Sequence, residues 1–182
     1  MTSANEADLD WEAVDETHTG LRRKRLARAA GGEELGCSLY ELPPGERAWP
    51  YHYHTGNEEA LYVLAGEGGV RLPEETLSVE QGDYVALPAG PDHAHGVFND
   101  GDEPLRYLAV STMRDPDVTV YPDSEKVGVF AGAAPGGEGE RTVHGYYRRD
   151  DDVDYWLDED GDFSESDPSD RAGEAEEPTR EN

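Results

Sequence analysis

Short alternations of apolar and polar residues, separated by turn residues, begin at Leu21 and continue to about Met113. In the segment "ELGCSLYEL", Leu35, Cys37 and Leu39 are two residues apart, so they would share one face of a β-strand. The segment "GVRLPEETLSVEQGDYVALPAG" contains three further strand patterns divided by turns. About eight such strands follow one another with no convincing helical pattern between them. The arrangement predicts an all-β fold, either a barrel or a double-sheet jelly roll.

The segments outside these strands predict how the chain is organised. Residues 1–20 are acidic and predict a mobile N-terminal segment, whereas residues 21–113 hold the barrel. Residues 114–157 carry enough aromatic side chains to predict an arm that packs on the barrel, with an extended loop over 121–140 that ends in a glycine-rich tip. Residues 158–182 consist mostly of Asp, Glu, Ser, Gly and Pro, which predicts a disordered acidic tail.

The charge balance narrows the choice of partners. The chain of 182 residues has 42 acidic and 15 basic residues, a net charge of −27, which argues against nucleic acid or an anionic membrane surface. Such a composition is typical of cytoplasmic proteins from halophiles with high internal salt. No apolar run approaches the length of a membrane span, and the acidic N-terminus lacks the pattern of a signal peptide. These features predict a soluble cytoplasmic protein.

The basic residues near the barrel form no evident cluster for a phosphate group. The run "RRKR" at residues 22–25 could suggest nucleic-acid binding, but against this overall charge it favours a solvated edge strand. Arg47, Arg71 and Arg106 are likewise expected to be solvated surface residues.

The first candidate site lies in the segment "WPYHYHTGNEEALYVLAGEG". Aromatic neighbours and a preceding proline favour extended backbone here, so His52 and His54 would point the same way, about 6.5 to 7 Å apart. The turn at residues 55–57 would bring Glu59, at the start of the next strand, back beside them. Two imidazoles and a carboxylate on one face suit a divalent transition metal. A His-x-His pair alone is more often two ordinary surface or core histidines, so a second cluster has to support this hypothesis.

The second cluster lies in "GDYVALPAGPDHAHGVFN", where a Pro-x-Gly turn precedes a strand that bears His93 and His95. Together, the two clusters resemble the two-motif signature of the cupin superfamily over roughly residues 35–112, with core motifs at 45–99.

The first cupin motif is a glycine, about five residues, His-x-His, three or four residues, Glu, six residues and Gly. Gly45, His52, His54, Glu59 and Gly66 match it, with one residue more than usual after Gly45.

The second motif is Gly, five residues, Pro-x-Gly, two residues, His, three residues and Asn. Its first half is matched by Gly82, Pro88, Gly90 and His93, and its second half by His95 and Asn99. The segment therefore has two extra residues, and two histidines compete for one role. Counting back from Asn99 along a strand favours His95, because a turn absorbs extra residues more easily than a strand. His93 stays open as the alternative.

The resemblance implies a cupin fold, a double-stranded β-helix, with one divalent transition metal (Fe, Mn, Ni, Co or Zn). The implied ligands are His52, His54, Glu59 and His95, with one or two positions open for water or substrate. Cupins include dioxygenases, decarboxylases of small acids, and sugar or sugar-phosphate isomerases and epimerases, and they are commonly homodimers. The expected function is a small metal-dependent enzyme for a small carboxylate, sugar or phenolic molecule. The alternatives are a non-catalytic binding or sensing module, and a sugar-phosphate isomerase-like enzyme, which the missing basic cluster disfavours.

Overall fold

A computed structural model describes residues 3–14, 18–137 and 139–159, and most of these residues form antiparallel strands. The strands are β1 (Glu12–Ala13), β2 (Arg22–Lys24), β3 (Leu35–Leu42), β4 (Tyr53–His54), β5 (Glu59–Ala65), β6 (Glu67–Arg71), β7 (Thr76–Glu80), β8 (Tyr84–Leu87), β9 (Gly96–Phe98), β10 (Leu105–Thr112), β11 (Asp117–Tyr121), β12 (Lys126–Ala131) and β13 (Val143–Arg148). One short helix, α1 (Leu26–Ala29), and three 3-10 turns, Glu6–Asp8, Pro91–His93 and Pro122–Ser124, complete the described elements. No helix among these residues has the length and apolar character needed to cross a membrane.

The strands form three sheets, with the orders β1-β2-β3-β10-β5-β8, β13-β12-β11-β4 and β7-β6-β9. This architecture confirms the all-β jelly-roll fold that the sequence predicts. The chain divides into two compact units after Asp150, and every strand belongs to the first unit. In the second unit, the described residues 151–159 contain one turn. The predicted acidic tail lies, from residue 160 onward, outside the described residues.

The core combines the inner face of the six-stranded sheet, where β10 pairs with both β3 and β5, with Val70, Val79 and Val97 of the three-stranded sheet. Leu105 on β10 stands opposite Leu42 on β3, and both are fully buried. Tyr107 stands between Tyr40 and Val63, which are also buried. Burying a side chain such as leucine or valine contributes roughly 1.5 to 3 kcal/mol, so this alternation stabilises the sheet and holds its register.

The loop predicted over residues 121–140 is wrong in its middle, because Lys126–Ala131 is strand β12. β12 pairs with β11 and β13, and β11 pairs with β4, so the predicted arm supplies three of the four strands in the sheet that contains His54. The misleading signal is Gly128. A Cβ there would lie 3.0 Å from ring atoms of Tyr146 and Phe130, so the glycine serves close packing inside a strand rather than a turn.

The N-terminal segment, predicted to be mobile, contains a strand. Glu12–Ala13 pairs with Arg22 and Arg23 and forms one edge of the six-stranded sheet. Mobility of the remainder of residues 1–20 stays a prediction.

Gly66, the last residue of the first motif, tests how tightly the turn between β5 and β6 is packed. Its φ of +80° favours glycine, and a Cβ would lie 2.5 Å from the carbonyl oxygen of Pro104. Gly45 has a similar φ of +77°, but a Cβ there would meet no atom within 4 Å, so it is a matched control for backbone strain alone. We expect Gly66→Ala to lower the free energy of unfolding by roughly 3 kcal/mol and Gly45→Ala by roughly 1 kcal/mol, measured by urea denaturation. Equal losses would show that the contact with Pro104 contributes nothing.

Candidate metal centre and its cavity

The two histidine clusters meet through backbone pairing. The backbone N–H of His52 donates to the carbonyl oxygen of His95 at 3.0 Å, and the N–H of His95 donates back to the carbonyl oxygen of His52 at 2.7 Å. The ring centroid of His52 consequently lies 4.6 Å from that of His95 and 5.2 Å from that of His54. All three histidines are buried.

Glu59, the first residue of β5, completes the cluster. The ligand atoms of His52, His54 and Glu59 lie within 4.8 Å of one another. Oε2 of Glu59 is 3.6 Å from Nε2 of His54 and 3.2 Å from Nε2 of His95. His93 is exposed in the 3-10 turn Pro91–His93. Of the two alternatives that the sequence left open, the structure therefore places His95 beside the carboxylate.

Each imidazole is oriented by an oxygen acceptor at Nδ1. Nδ1 of His52 lies 2.8 Å from the carbonyl oxygen of Pro50, and Nδ1 of His95 lies 3.0 Å from that of His93. Because a carbonyl oxygen can only accept, Nδ1 carries the proton in both rings. In the neutral imidazole, Nε2 is then the atom with a free lone pair, and Nε2 is the atom of His95 that faces Glu59.

The protonation states of the cluster follow from burial and charge. Burial, together with the neighbouring histidines, lowers the pKa of His52 to about 4, so this ring is neutral at physiological pH. Burial alone would raise the pKa of Glu59, but the close contact with Nε2 of His95 and the charges of the histidines outweigh it and lower that pKa to about 2. A neutral imidazole and an ionised carboxylate are the forms in which these groups bind a metal.

Asp117 is a residue of the candidate site that the sequence analysis missed. Its buried carboxylate accepts from Nδ1 of His54 at 2.5 Å and from the backbone N–H of Gly56 at 3.0 Å. The hydroxyl of Thr119, the next inward residue on β11, lies 3.3 Å from the same Nδ1. Burial opposes a raised pKa at His54, but the hydrogen bond to Asp117 and the nearby carboxylate charges prevail and raise it. The sequence signal that could have identified Asp117 is that it and Thr119 are polar residues at alternate positions of the strand-like segment "DVTVY".

The cluster opens into a cavity of about 970 Å³. Aromatic side chains form much of its wall, namely Tyr40, Trp49, Tyr107, Tyr121, Phe130 and Tyr146. Basic side chains also line it: Arg23, Arg25, Arg47, Lys126 and Arg141. Among the described residues of this wall, Glu59 is the one carboxylate. The part of the cavity wall that the structure describes is therefore basic, although the protein as a whole is acidic.

Two expectations about charge are wrong in the light of this cavity. Arg23 and Arg25 do not belong to a solvated face, since their side chains are only 17% and 26% exposed and they line the cavity wall. The expected absence of basic residues near the site is wrong for the same reason. β2 pairs with β3, so Arg23 stands opposite Tyr40, and sequence alone does not reveal this pairing. Arg47 is exposed as predicted but borders the cavity, whereas Arg71 is exposed and paired with Asp123.

A family model described as a cupin domain matches residues 38–111, the span that contains both histidine clusters. The chain belongs to the cupin superfamily. A crystal structure of a putative sugar phosphate isomerase from Acidithiobacillus ferrooxidans superposes with a TM-score of 0.62 at 30% identity, covering 73% of this chain and 79% of that one.

Curated relatives of this cupin match it over different lengths. The oxalate-binding protein of Thermotoga maritima is 33% identical over 70 residues, 38% of this chain and 55% of that protein. An uncharacterized protein of Methanocaldococcus jannaschii is 37% identical over 60 residues, 33% of this chain and 46% of that protein. The chain thus spans about half the length of these two relatives. The tetracenomycin polyketide synthase protein TcmJ of Streptomyces glaucescens is 27% identical over 74% of this chain and 91% of its own.

Asp117→Asn tests the orientation of His54. The amide can still accept from Gly56 with its oxygen, but its NH₂ group would then face Nδ1 of His54 as a donor. We therefore expect the neutral His54 ring to change from the Nδ1–H to the Nε2–H tautomer. Imidazole nitrogen chemical shifts, measured by NMR at alkaline pH in the metal-free protein, report this change directly. An unchanged tautomer would contradict the orienting role of Asp117.

Proposed function

We propose that this cupin is a small metal-dependent enzyme that holds one divalent transition metal through His52, His54, Glu59 and His95. Its substrate would be a small organic molecule in the adjoining cavity. The observation that supports this most directly is the convergence of three oriented imidazoles and one ionised carboxylate on the cavity wall.

The donor set fits such a metal. Nε2 of His95 and Oε2 of Glu59 face each other at 3.2 Å, and with Nδ1 of His95 already donating, two acceptor atoms at this distance need a cation or proton between them. Three nitrogens and one oxygen suit Fe, Mn, Ni, Co or Zn in five- or six-coordinate geometry, which leaves positions open. When bound, the metal would supply a Lewis acid or an oxygen-activating centre.

The chain's own residues divide the remaining work. Asp117 holds His54 in the orientation that presents Nε2, a support that typically affects metal affinity by 10–100-fold. The aromatic wall excludes water and packs against the substrate, while the basic side chains favour a substrate that carries negative charge. A small anionic molecule that also reaches the metal is the substrate class that this cavity supports.

One specific observation supports the alternative of a sugar-phosphate isomerase-like enzyme. The basic residues that this interpretation lacked in the sequence are present around the cavity. The similar proteins named as a sugar phosphate isomerase and an oxalate-binding protein also concern small oxyanions. A non-catalytic binding module differs from both enzymes in one respect, because it would bind such anions without converting them.

Two further proposals have separate grounds. The net charge of −27 supports a high-salt cytoplasm as the environment in which the protein works. The dimers that are common in the cupin superfamily support a homodimer as the functional form.

The metal proposal is tested by metal content after reconstitution and dialysis, in protein purified without a histidine tag. We expect about one equivalent in the wild type and in His93→Ala, and less than about a tenth of an equivalent in His52→Ala and His95→Ala. His93→Ala is the matched control, since it removes an exposed histidine two residues from His95. A wild type that takes up no metal would overturn the proposal, and loss of metal in His93→Ala alone would overturn the choice of ligands.

A further inference from the structure

The run Arg22–Arg25 is divided between two environments by the alternation of its strand. Arg22 and Lys24 lie on the outside, each 4.9 Å from the ring centroid of Trp11, and Arg22 is also paired with Glu41. Arg23 and Arg25 lie on the inside and line the cavity. Of these four consecutive basic side chains, two therefore lie on the outer face and two line the cavity.

The two inner arginines share one carboxylate. Oε2 of Glu12 lies 2.9 Å from Nε of Arg25 and 3.9 Å from Nε of Arg23. In the described part of the chain, both of these Nε atoms are buried and neither has a partner in hydrogen-bond geometry. Glu12 itself is half exposed, at 48%. Among the described residues, one carboxylate faces two guanidinium groups, which leaves this corner of the cavity with an excess positive charge and two Nε donors without an acceptor.

A cluster of aromatic rings adjoins these donors. Arg23 stands opposite Tyr40 in the pairing of β2 with β3. The ring of Tyr40 stacks on that of Tyr107 at 5.4 Å and meets that of Trp49 edge-on at 6.5 Å. Planar guanidinium groups match the oxygens of a carboxylate or phosphate, and aromatic rings pack well against another ring.

We propose that Arg23 and Arg25 form a subsite for the carboxylate or phosphate group of an aromatic substrate, whose ring packs against Tyr40. Glu12 is the built-in counterion that the substrate displaces. The inference rests on the proposed function only in that the same cavity holds the substrate. It adds the chemical class, an aromatic oxyanion, and the residues that recognise it.

Two fluorescent probes with the same ring system test the subsite. 8-Anilinonaphthalene-1-sulfonate carries an oxyanion, and N-phenyl-1-naphthylamine is its neutral counterpart. Both are titrated into the full-length protein at low ionic strength, where charge is least screened, and metal content is measured in the same samples. The ratio of the two dissociation constants isolates the contribution of the negative charge.

The variants separate the effect of losing two positive charges from the effect of the place where they are lost. Arg23→Gln with Arg25→Gln removes the inner pair and is expected to weaken binding of the anionic probe roughly tenfold or more, with the neutral probe unchanged. Arg22→Gln with Lys24→Gln removes the same charge from the outer face and is expected to leave both probes unchanged. Glu12→Gln removes the counterion and is expected to strengthen binding of the anionic probe roughly two- to fivefold. Circular dichroism of each variant verifies folding, and Glu12→Gln keeps the test decisive if the inner double variant does not fold.

The outcomes distinguish this inference from the metal proposal. Equal effects of the inner and outer double variants, or weaker anionic binding in Glu12→Gln, would overturn the subsite even in protein that holds its metal. Protein that takes up no metal on reconstitution but still discriminates between the probes through Arg23 and Arg25 would support the subsite and overturn the metal proposal alone. Displacement of the anionic probe by phenyl phosphate or by benzoate, compared at equal ionic strength, distinguishes the two oxyanions.

Discussion

Two backbone hydrogen bonds between His52 and His95 connect segments that are far apart in the chain, and the site depends on them. They place the two histidine clusters side by side, and the antiparallel pairing of β5 with β10 holds Glu59 at the start of its strand beside them. Since Nδ1 of His52 and of His95 is engaged by carbonyl oxygens two residues away, the same local backbone that forms the bridge also orients the rings. The backbone contacts that form the fold at this point therefore also set the orientation of the candidate metal ligands.

The distribution of charge is the second organising feature. A chain with a net charge of −27 repels anions at long range, and this repulsion weakens as salt rises. Inside, five basic side chains and one carboxylate line the described cavity wall. Short-range contacts with guanidinium groups can thus select an oxyanion that the surface as a whole does not attract. High salt would help such a ligand to approach while affecting a partly buried contact less.

How far sequence reasoning reaches differs between the parts of the molecule. The all-β fold and cupin membership were predicted and are confirmed, because alternating patterns and motif glycines report local conformation. Gly66 illustrates this, since its positive φ and its contact with Pro104 explain the motif position. β12 was mistaken for a loop because Gly128 imitates a turn signal, although it serves packing against Tyr146. Asp117 was missed because its partner, His54, lies 63 residues away.

By itself, the sequence determined the strand pattern, the all-β class and the candidate ligands His52, His54 and Glu59, with the fourth left open, since strand periodicity and motif spacing depend on neighbours along the chain. Tertiary structure decided which of His93 and His95 stands beside Glu59 and which carboxylate orients His54. It also decided that two of four consecutive cations face a cavity. These last features depend on which strands pair, and pairing is set by the burial of side chains from distant segments against one another.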